Sequence, residues 1–209
     1  MSKSVSPKRL RFNQTVEVHE HPETETESPC NAAPPRATGP VFHSALRSGE
    51  CSPLDFSLPA DVFIADPRLD NTLLTQSACT PPQREVYVRV PSANGPRGLC
   101  NIGVAHSPAT GCVTVGNVLT AIHNALRQKE VSVEKDVRRH HERRVATLEQ
   151  YCSALDKPTR AKIDQDEATG GTRRVDQLRG NVLFAGLIVP SPEVPHKWEL
   201  RLEFSERYA

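Results

Sequence analysis

Trp198-Glu199-Leu200-Arg201-Leu202-Glu203-Phe204 alternates apolar and charged residues at every step. A period of two is that of a β-strand, whose successive side chains point to opposite faces. The stretch therefore predicts a half-buried strand with Trp198, Leu200, Leu202 and Phe204 on the inner side. A strand with one wet face suits an antiparallel sheet, because the strands of parallel sheets are covered on both faces. Working back along the chain, Val182 to Val189 is an apolar run of strand length, joined to the last strand by a stiff connection containing Pro190, Pro192 and Pro195. Val86-Tyr87-Val88-Arg89-Val90 alternates with three valines on one face. Leu99 to Ala105 is the next apolar run, and Asn94-Gly95-Pro96 between them predicts a hairpin turn. Leu54-Asp55-Phe56-Ser57-Leu58 also alternates and reads as a short strand.

Between these strands the period changes. Val115, Val118, Leu119, Ile122 and Leu126 fall on one helical stripe, with Thr114 at the N-cap position and Asn117 three residues on. A second helix is expected from Ser132, with Val133, Val137, Val145, Leu148, Cys152 and Leu155 facing inward and Lys157-Pro158 ending it. Residues 156 to 173 are polar and contain Gly170-Gly171, which reads as a loop. Strands, then helices, then strands predict an α+β domain. The expected architecture is a mainly antiparallel sheet of four to six strands with the helix pair on one face.

The chain has 209 residues, 26 Lys+Arg against 25 Asp+Glu, and 37% hydrophobic residues. The balance excludes a strongly basic nucleic-acid binder and a strongly acidic tail protein as descriptions of the whole chain. Residues 1 to 40 hold six of the prolines and few large apolar side chains, so a disordered N-terminal arm is expected there, with a single domain over 41–209. In the arm Lys3, Lys8, Arg9 and Arg11 precede Glu17, Glu20, Glu23, Glu25 and Glu27, a block pattern that suits an interaction tail. Met1 to Phe12 is basic and polar, without the apolar core of a signal peptide, and no apolar run approaches a membrane span. Six cysteines lie scattered without a Cys-x-x-Cys pair and read as reduced thiols. The expected setting is intracellular, cytoplasmic or nuclear, and not secreted.

The densest candidate chemistry is Arg138-Arg139-His140-His141-Glu142-Arg143-Arg144. Arg138, Arg139, Arg143 and Arg144 are candidates for binding an anion or nucleic acid. A helix spreads these charges around its cylinder, and Glu134 and Glu142 each stand four residues from Arg138, so a solvated helix face is the competing reading. No His or Cys spacing builds a zinc quartet, and neither a metal nor a cofactor is expected. Cys112 precedes a helix start, where the dipole favours a thiolate, but Gly111 and Val113 around it suit a small buried thiol. No Gly-x-Ser-x-Gly, P-loop or dinucleotide fingerprint occurs, so no catalytic residue is assigned.

The arm carries the sharpest motif. Lys8-Arg9-Leu10-Arg11-Phe12 is a basic pair, an aliphatic, any residue, then Phe, and it resembles the docking motif by which regulators bind protein phosphatase type 1. Val16 and Val18 follow where the extended form of that motif continues. Leu10 stands where Val or Ile is usual. The resemblance implies strand addition, with Leu10 and Phe12 as anchors and Lys8 and Arg9 against an acidic surface. Ser6-Pro7-Lys8-Arg9 also resembles a site for a proline-directed kinase, which makes Ser6 a phosphorylation candidate.

The order of motifs in the rest of the chain resembles a fungal domain-of-unknown-function family over roughly residues 43 to 204. The matching pieces are Leu54-Asp55-Phe56, Ala78-Cys79-Thr80-Pro81-Pro82, Val113 to Leu119, Arg174-Val175-Asp176-Gln177-Leu178, Phe184-Ala185-Gly186-Leu187 and Trp198-Glu199-Leu200. The chain departs from that family at Asn117, where Asp is common, and at Gln177, where an aromatic is common. The resemblance implies the fold and an intracellular setting and transfers no activity. The reading that follows is a non-enzymatic protein-interaction module with a phosphatase-docking-like arm. Two others stay open: an enzyme using a cleft near the helix pair and residues 156–173, and an anion or nucleic-acid binder through the second helix.

Overall fold

The structure, a computed structural model, describes residues 40–92, 95–130, 134–153, 155–191 and 193–208. The chain divides into two units, Met1–Arg36 and Ala37–Ala209, and the fold below is that of the second. The arm, with Ser6, Lys8, Arg9, Leu10, Phe12, Val16 and Val18, lies outside the described residues.

Strands β1 (Val41–Phe42) and β2 (Cys79–Thr80) pair with each other. The main sheet contains β3 (Glu85–Ser92), β4 (Gly95–Ala105), β5 (Asn181–Ile188) and β6 (Lys197–Phe204), in the spatial order β4-β3-β6-β5. The β3–β4 and β5–β6 pairs are antiparallel, as the alternation predicts. The middle pair, β3 and β6, is parallel, with Val88 opposite Trp198. Val86, Val88 and Val90 turn inward and are fully buried. Trp198 and Leu200 join them, with the Trp198 ring edge-on to Phe42 at 4.9 Å between centroids.

The far end of β6 departs from the expected inward row. Leu202 is only half-buried and Phe204 is 46% exposed. The β5–β6 register shifts between Phe184 and Gly186 and again between Asn181 and Leu183. The extra residues of both shifts lie in β5, so β6 keeps its own alternation: Leu202 still packs against the core opposite the buried Phe184, and Phe204 stands at the last pair of the sheet, opposite Asn181. Leu54 to Leu58 is a second correction. Only Asp55 bridges, to Leu183, and two backbone bonds flank it, from Phe56 N–H to the Val182 carbonyl and from Phe184 N–H to the Leu54 carbonyl. The Asp55 carboxylate accepts from the Ser57 amide at 2.9 Å, bending the chain into a turn before it can extend. Leu54 and Phe56 are nevertheless buried in the core.

Two short helices, α1 (Ala60–Ile64) and α2 (Asn71–Thr75), precede β2, and α3 (Val115–Leu126) follows β4. The start of α3 is a capping box. Thr114 Oγ1 accepts from the Asn117 amide at 3.1 Å, and Asn117 Oδ1 accepts from the Thr114 amide at 3.0 Å. The stripe Val115, Val118, Leu119, Ile122 and Leu126 is buried. Helix α4 spans Lys135–Cys152, so it stops short of Lys157-Pro158. Residues read as a loop instead form α5, Lys157–Gly170. Pro158 sits in the first turn, where its missing N–H has no partner to lose, so it starts a helix rather than ending one. Of the expected pair, α3 lies against β4, whereas α4 packs on two 3-10 turns, Arg174–Leu178 and Glu206–Tyr208. The class is α+β with mostly antiparallel pairing. Among the described residues no helix is long and apolar enough to cross a membrane.

Candidate functional site

The helical corner is held by charge. Arg127, just past the end of α3, donates from Nη1 to the Ser57 carbonyl at 3.0 Å and from Nη2 to Asp166 Oδ2 at 2.7 Å and to Glu167 Oε1. Arg144 comes from the inner face of α4. Its Nε donates to Asp176 Oδ1 at 2.7 Å and its Nη1 to Glu167 Oε2 at 2.6 Å. Arg173 donates from Nη2 to Asp166 Oδ2 at 2.8 Å and from Nη1 to the Arg127 carbonyl at 2.9 Å. Asp176 Oδ2 also accepts the Arg173 backbone amide at 2.8 Å. Three guanidinium groups thus meet three carboxylates, from Asp166, Glu167 and Asp176. All six side chains except that of Asp166 are almost fully buried.

Burial pushes the Glu167 carboxyl up, but Arg144 and Arg127 outweigh it and hold it below the ordinary glutamate value. Asp166 is likewise lowered, burial being outweighed by Arg173 and Arg127. Carboxylates fixed as anions lack the proton a general acid gives, and guanidinium groups stay protonated. The network is a neutral internal clamp joining α3, α4, α5 and the Arg174–Leu178 turn.

A cleft of about 330 Å³ opens above this clamp, lined by Asp61, His123, Asn124, Arg127, Lys162 and Asp166. His123 is buried, its ring stacked on Phe63 at 4.5 Å, with Nε2 2.8 Å from the Leu58 carbonyl. A carbonyl only accepts, so Nε2 carries the hydrogen. Burial lowers the His123 pKa, with Arg127 adding to the effect against the Leu58 hydrogen bond, and the ring is neutral. A second cleft of about 480 Å³ runs between α4 and α5, past His141, Leu148, Cys152 and Ile163. A third hollow, about 410 Å³, lies between β4 and α3 and is floored by the small residues Gly103, Ala105, Gly116 and Ala121, with Asn117 and Thr120 beside them. Among the described residues no group of three or more His, Cys, Asp or Glu is placed to hold a metal ion.

The four arginines considered together in the sequence separate in space. Arg138, Arg139 and Arg143 are exposed, and Arg143 donates to the Tyr208 carbonyl at 3.1 Å. Arg144, by contrast, is 1% exposed and engaged by two carboxylates, so it is not on a solvated face and offers nothing to an external anion. His141 lies against this pair, with Nδ1 3.1 Å from Arg144 Nη2.

Residues 17–197 match the model of a family of unknown function, DUF6699. The chain belongs to this family. The match begins within the N-terminal arm and ends at Lys197, the first residue of β6. Comparison with curated proteins and with solved structures gave no match. Membership therefore brings no activity with it, and the chemistry must be read from the residues.

Sequence reasoning missed Asp166, Glu167 and Arg173 because isolated charges in a supposed loop look solvated, and it missed Arg127 and Asp176 because a single charge at a helix end or in a turn carries no sign of burial. One signal was present. Ile163, Glu167 and Gly170 stand at i, i+4 and i+7, and all three are buried on one face of α5.

The lowered groups set a pH response. His123 is neutral when folded but protonates near pH 6.5 when unfolded, so the unfolded chain binds the extra proton and stability falls as pH drops below about 6.5. Asp166 and Glu167 favour folding wherever they are ionised, and that contribution is lost as pH falls through their depressed values, below about 4. Melting temperature measured from pH 8 to 3 is expected to decline first gently and then steeply. A flat profile between pH 8 and 5 would show that His123 is not buried in its neutral form.

Proposed function

We propose that the chain is an intracellular protein-interaction module: residues 1–40 act as a docking arm and residues 41–209 as a domain that receives an extended segment of a partner. The observation that carries this reading is the open edge of β4. The Tyr87 amide donates across to the His196 carbonyl beside β6, so Tyr87 and its opposite number Gly103 form a pair not hydrogen-bonded to each other. The backbone groups of Gly103, and by alternation those of Asn101 and Ala105, therefore point away from β3. The outer edge of β5 carries bridges from Arg47 and Asp55, but among the described residues no strand pairs with the outer edge of β4. An incoming strand would bond to Asn101, Gly103 and Ala105 and set alternate side chains into the hollow between β4 and α3. The internal neutralisation of the charged corner supports the same reading, since its acids and bases are engaged with one another.

The arm does the converse and adds to a partner's sheet. Lys8, Arg9, Leu10, Phe12, Val16 and Val18 make protein phosphatase type 1 the partner to test. A few buried anchors carry most interface energy. Replacing Leu10 and Phe12 together by Ala is expected to weaken binding of the full chain to the phosphatase by at least ~3 kcal/mol, over a hundredfold. Equal titration curves for the two proteins would remove the phosphatase from the reading. For the domain, Gly103→Pro deletes an outward N–H while keeping the β3 ladder, and Pro is tolerated on a strand edge. Peptides selected from a random library on the native domain should lose binding to this variant. Retained binding would place recognition elsewhere than on the β4 edge.

A further inference from the structure

Helix α5 is lightly held. Of its fourteen residues only Ile163, Glu167 and Gly170 are buried. Ile163 is its hydrocarbon anchor, in a small cluster with Leu58, Val62, Leu148 and Cys152 that is separate from the main core. The 330 Å³ cleft lies between α3 and α5, the 480 Å³ cleft lies between α4 and α5, and Ile163 lines both. The other links are polar. Asp166 reaches Arg127 and Arg173, and Glu167 reaches Arg127 and Arg144. Lys129 Nζ donates to the Thr169 carbonyl at 2.8 Å, and Arg173 Nη2 to the Asp166 carbonyl at 2.9 Å. Ions taken back into water regain their hydration, so lifting α5 as a unit costs far less than the number of these bonds suggests.

The three arginines have holds of their own. Arg127 donates to the Ser57 carbonyl, Arg173 to the Arg127 carbonyl, and Arg144 to Asp176. The segment after α5 is tied separately. Lys129 and Arg173 form an antiparallel bridge, the Glu130 amide donates to the Thr172 carbonyl at 2.9 Å, and the Arg174 amide to the Gln128 carbonyl at 3.1 Å. Between that tie and α5 stands Gly171 at φ of +61°, where the nearest atom to a built Cβ is Lys129 Cε at 3.9 Å. A glycine with open space around it absorbs a change of backbone angle, which makes Gly171 the hinge. Lifting α5 about it takes away Asp166 and Glu167 and leaves three guanidinium groups facing one carboxylate, Asp176.

We propose that Arg127, Arg144 and Arg173 are a binding cradle for an acidic peptide segment of a partner protein, and that Asp166-Glu167 of α5 is its built-in occupant, a strap that the partner displaces. The built-in occupant sets the chemistry of the ligand. Two neighbouring carboxylates on one segment span all three guanidinium groups, whose forked donors match carboxylate oxygens. A partner segment with consecutive Asp or Glu residues reproduces that pattern, and the clefts beside α5 give it an approach. While α5 is seated, its own carboxylates hold the cradle and weak acidic competitors are turned away. The site is independent of the β4 edge.

The test follows amide hydrogen exchange of the full chain by mass spectrometry, with hepta-glutamate as the probe and with hepta-lysine and sodium chloride at matched ionic strength beside it. Amides of α5 are expected to exchange through an opening that urea below the unfolding transition accelerates little, because lifting the helix exposes little apolar surface. Those of β3 should exchange only through the urea-sensitive global opening. Hepta-glutamate should speed exchange in α5 by at least about threefold and leave β3 unchanged, since it draws the chain toward the open state. Ile163→Ala removes the hydrocarbon anchor without touching the cradle, so this variant should bind labelled hepta-glutamate at least about tenfold more tightly than the native chain. Exchange of α5 locked to that of β3 across the urea series, or an equal response to hepta-lysine or to salt, would overturn the proposal. The native-chain measurement decides the matter even if Ile163→Ala folds poorly.

Discussion

Replacing Arg144 by Met is expected to cost about 3–5 kcal/mol of folding stability. The guanidinium is 1% exposed and bonds to Glu167 and Asp176 at 2.6 and 2.7 Å. Methionine keeps much of the length and apolar volume, so cavity formation is a minor part of the loss. The cost comes from two carboxylates left inside with too little positive charge to offset their desolvation. Their protonation is the available relief, so the deficit should shrink as pH is lowered toward the ordinary carboxylate range. Neutralising the same carboxylates by substitution should act the same way: Arg144→Met with Glu167→Gln and Asp176→Asn is expected to recover much of the loss. Arg139, only four helical residues or so from the same helix start but 56% exposed and 3.9 Å from Asp136, provides the contrast. Arg139→Ala should stay within about 0.5 kcal/mol. Urea denaturation of the set decides the matter, and a loss below about 1 kcal/mol for Arg144→Met would show that the clamp is not structural.

Gly186→Ala is expected to cost about 2–5 kcal/mol, the sum of about 1–2 for left-handed backbone and about 1–3 for overpacking. Gly186 has φ of +110° at a register shift in β5. A Cβ there would lie 2.4 Å from Ser48 Cα and 2.5 Å from its nitrogen. These are backbone atoms, so no side-chain rotation relieves the clash. The adjoining bridge between Arg47 and Leu187 holds the segment in place. Gly49 separates the two contributions. It has φ of +83° with nothing within 4 Å of a built Cβ, so Gly49→Ala should cost only the backbone part, about 1–2 kcal/mol. Equal thermal shifts for the two variants would show that the approach of Ser48 to β5 is not tight.

The elements legible in the sequence are those whose burial is apolar. Val115 to Leu126 and Val86 to Val90 display their periods because the inward positions are hydrocarbon, His123 in the helix excepted. Helix α5 hides because its inward face reads Ile163, Glu167 and Gly170, with one apolar residue among three. The clamp was hidden for the same reason. Arg144, Glu167 and Asp176 are far apart in the chain, and nothing in any one of them distinguishes an internal charge from a solvated one. Asp55 shows the opposite failure, where alternation was present and a side-chain bond to Ser57 prevented the strand.

Strand β6 follows every other strand in the sequence yet occupies the interior of the main sheet, between β3 and β5. Timing during synthesis follows from that position. The β3–β4 hairpin leaves the ribosome early and forms from local contacts, but β3 then waits for a parallel partner more than a hundred residues downstream. Until Phe204 has emerged, both β3 and β5 present unpaired backbone on the sides meant for β6, the kind of edge that captures other chains. A nascent chain halted before Lys197 would hold two separate half-sheets, each exposing the valine and leucine faces that Trp198 and Leu200 later cover. The exposed interval thus runs from the synthesis of β3 to that of β6, and completion of β6, rather than any earlier helix or hairpin, covers both edges.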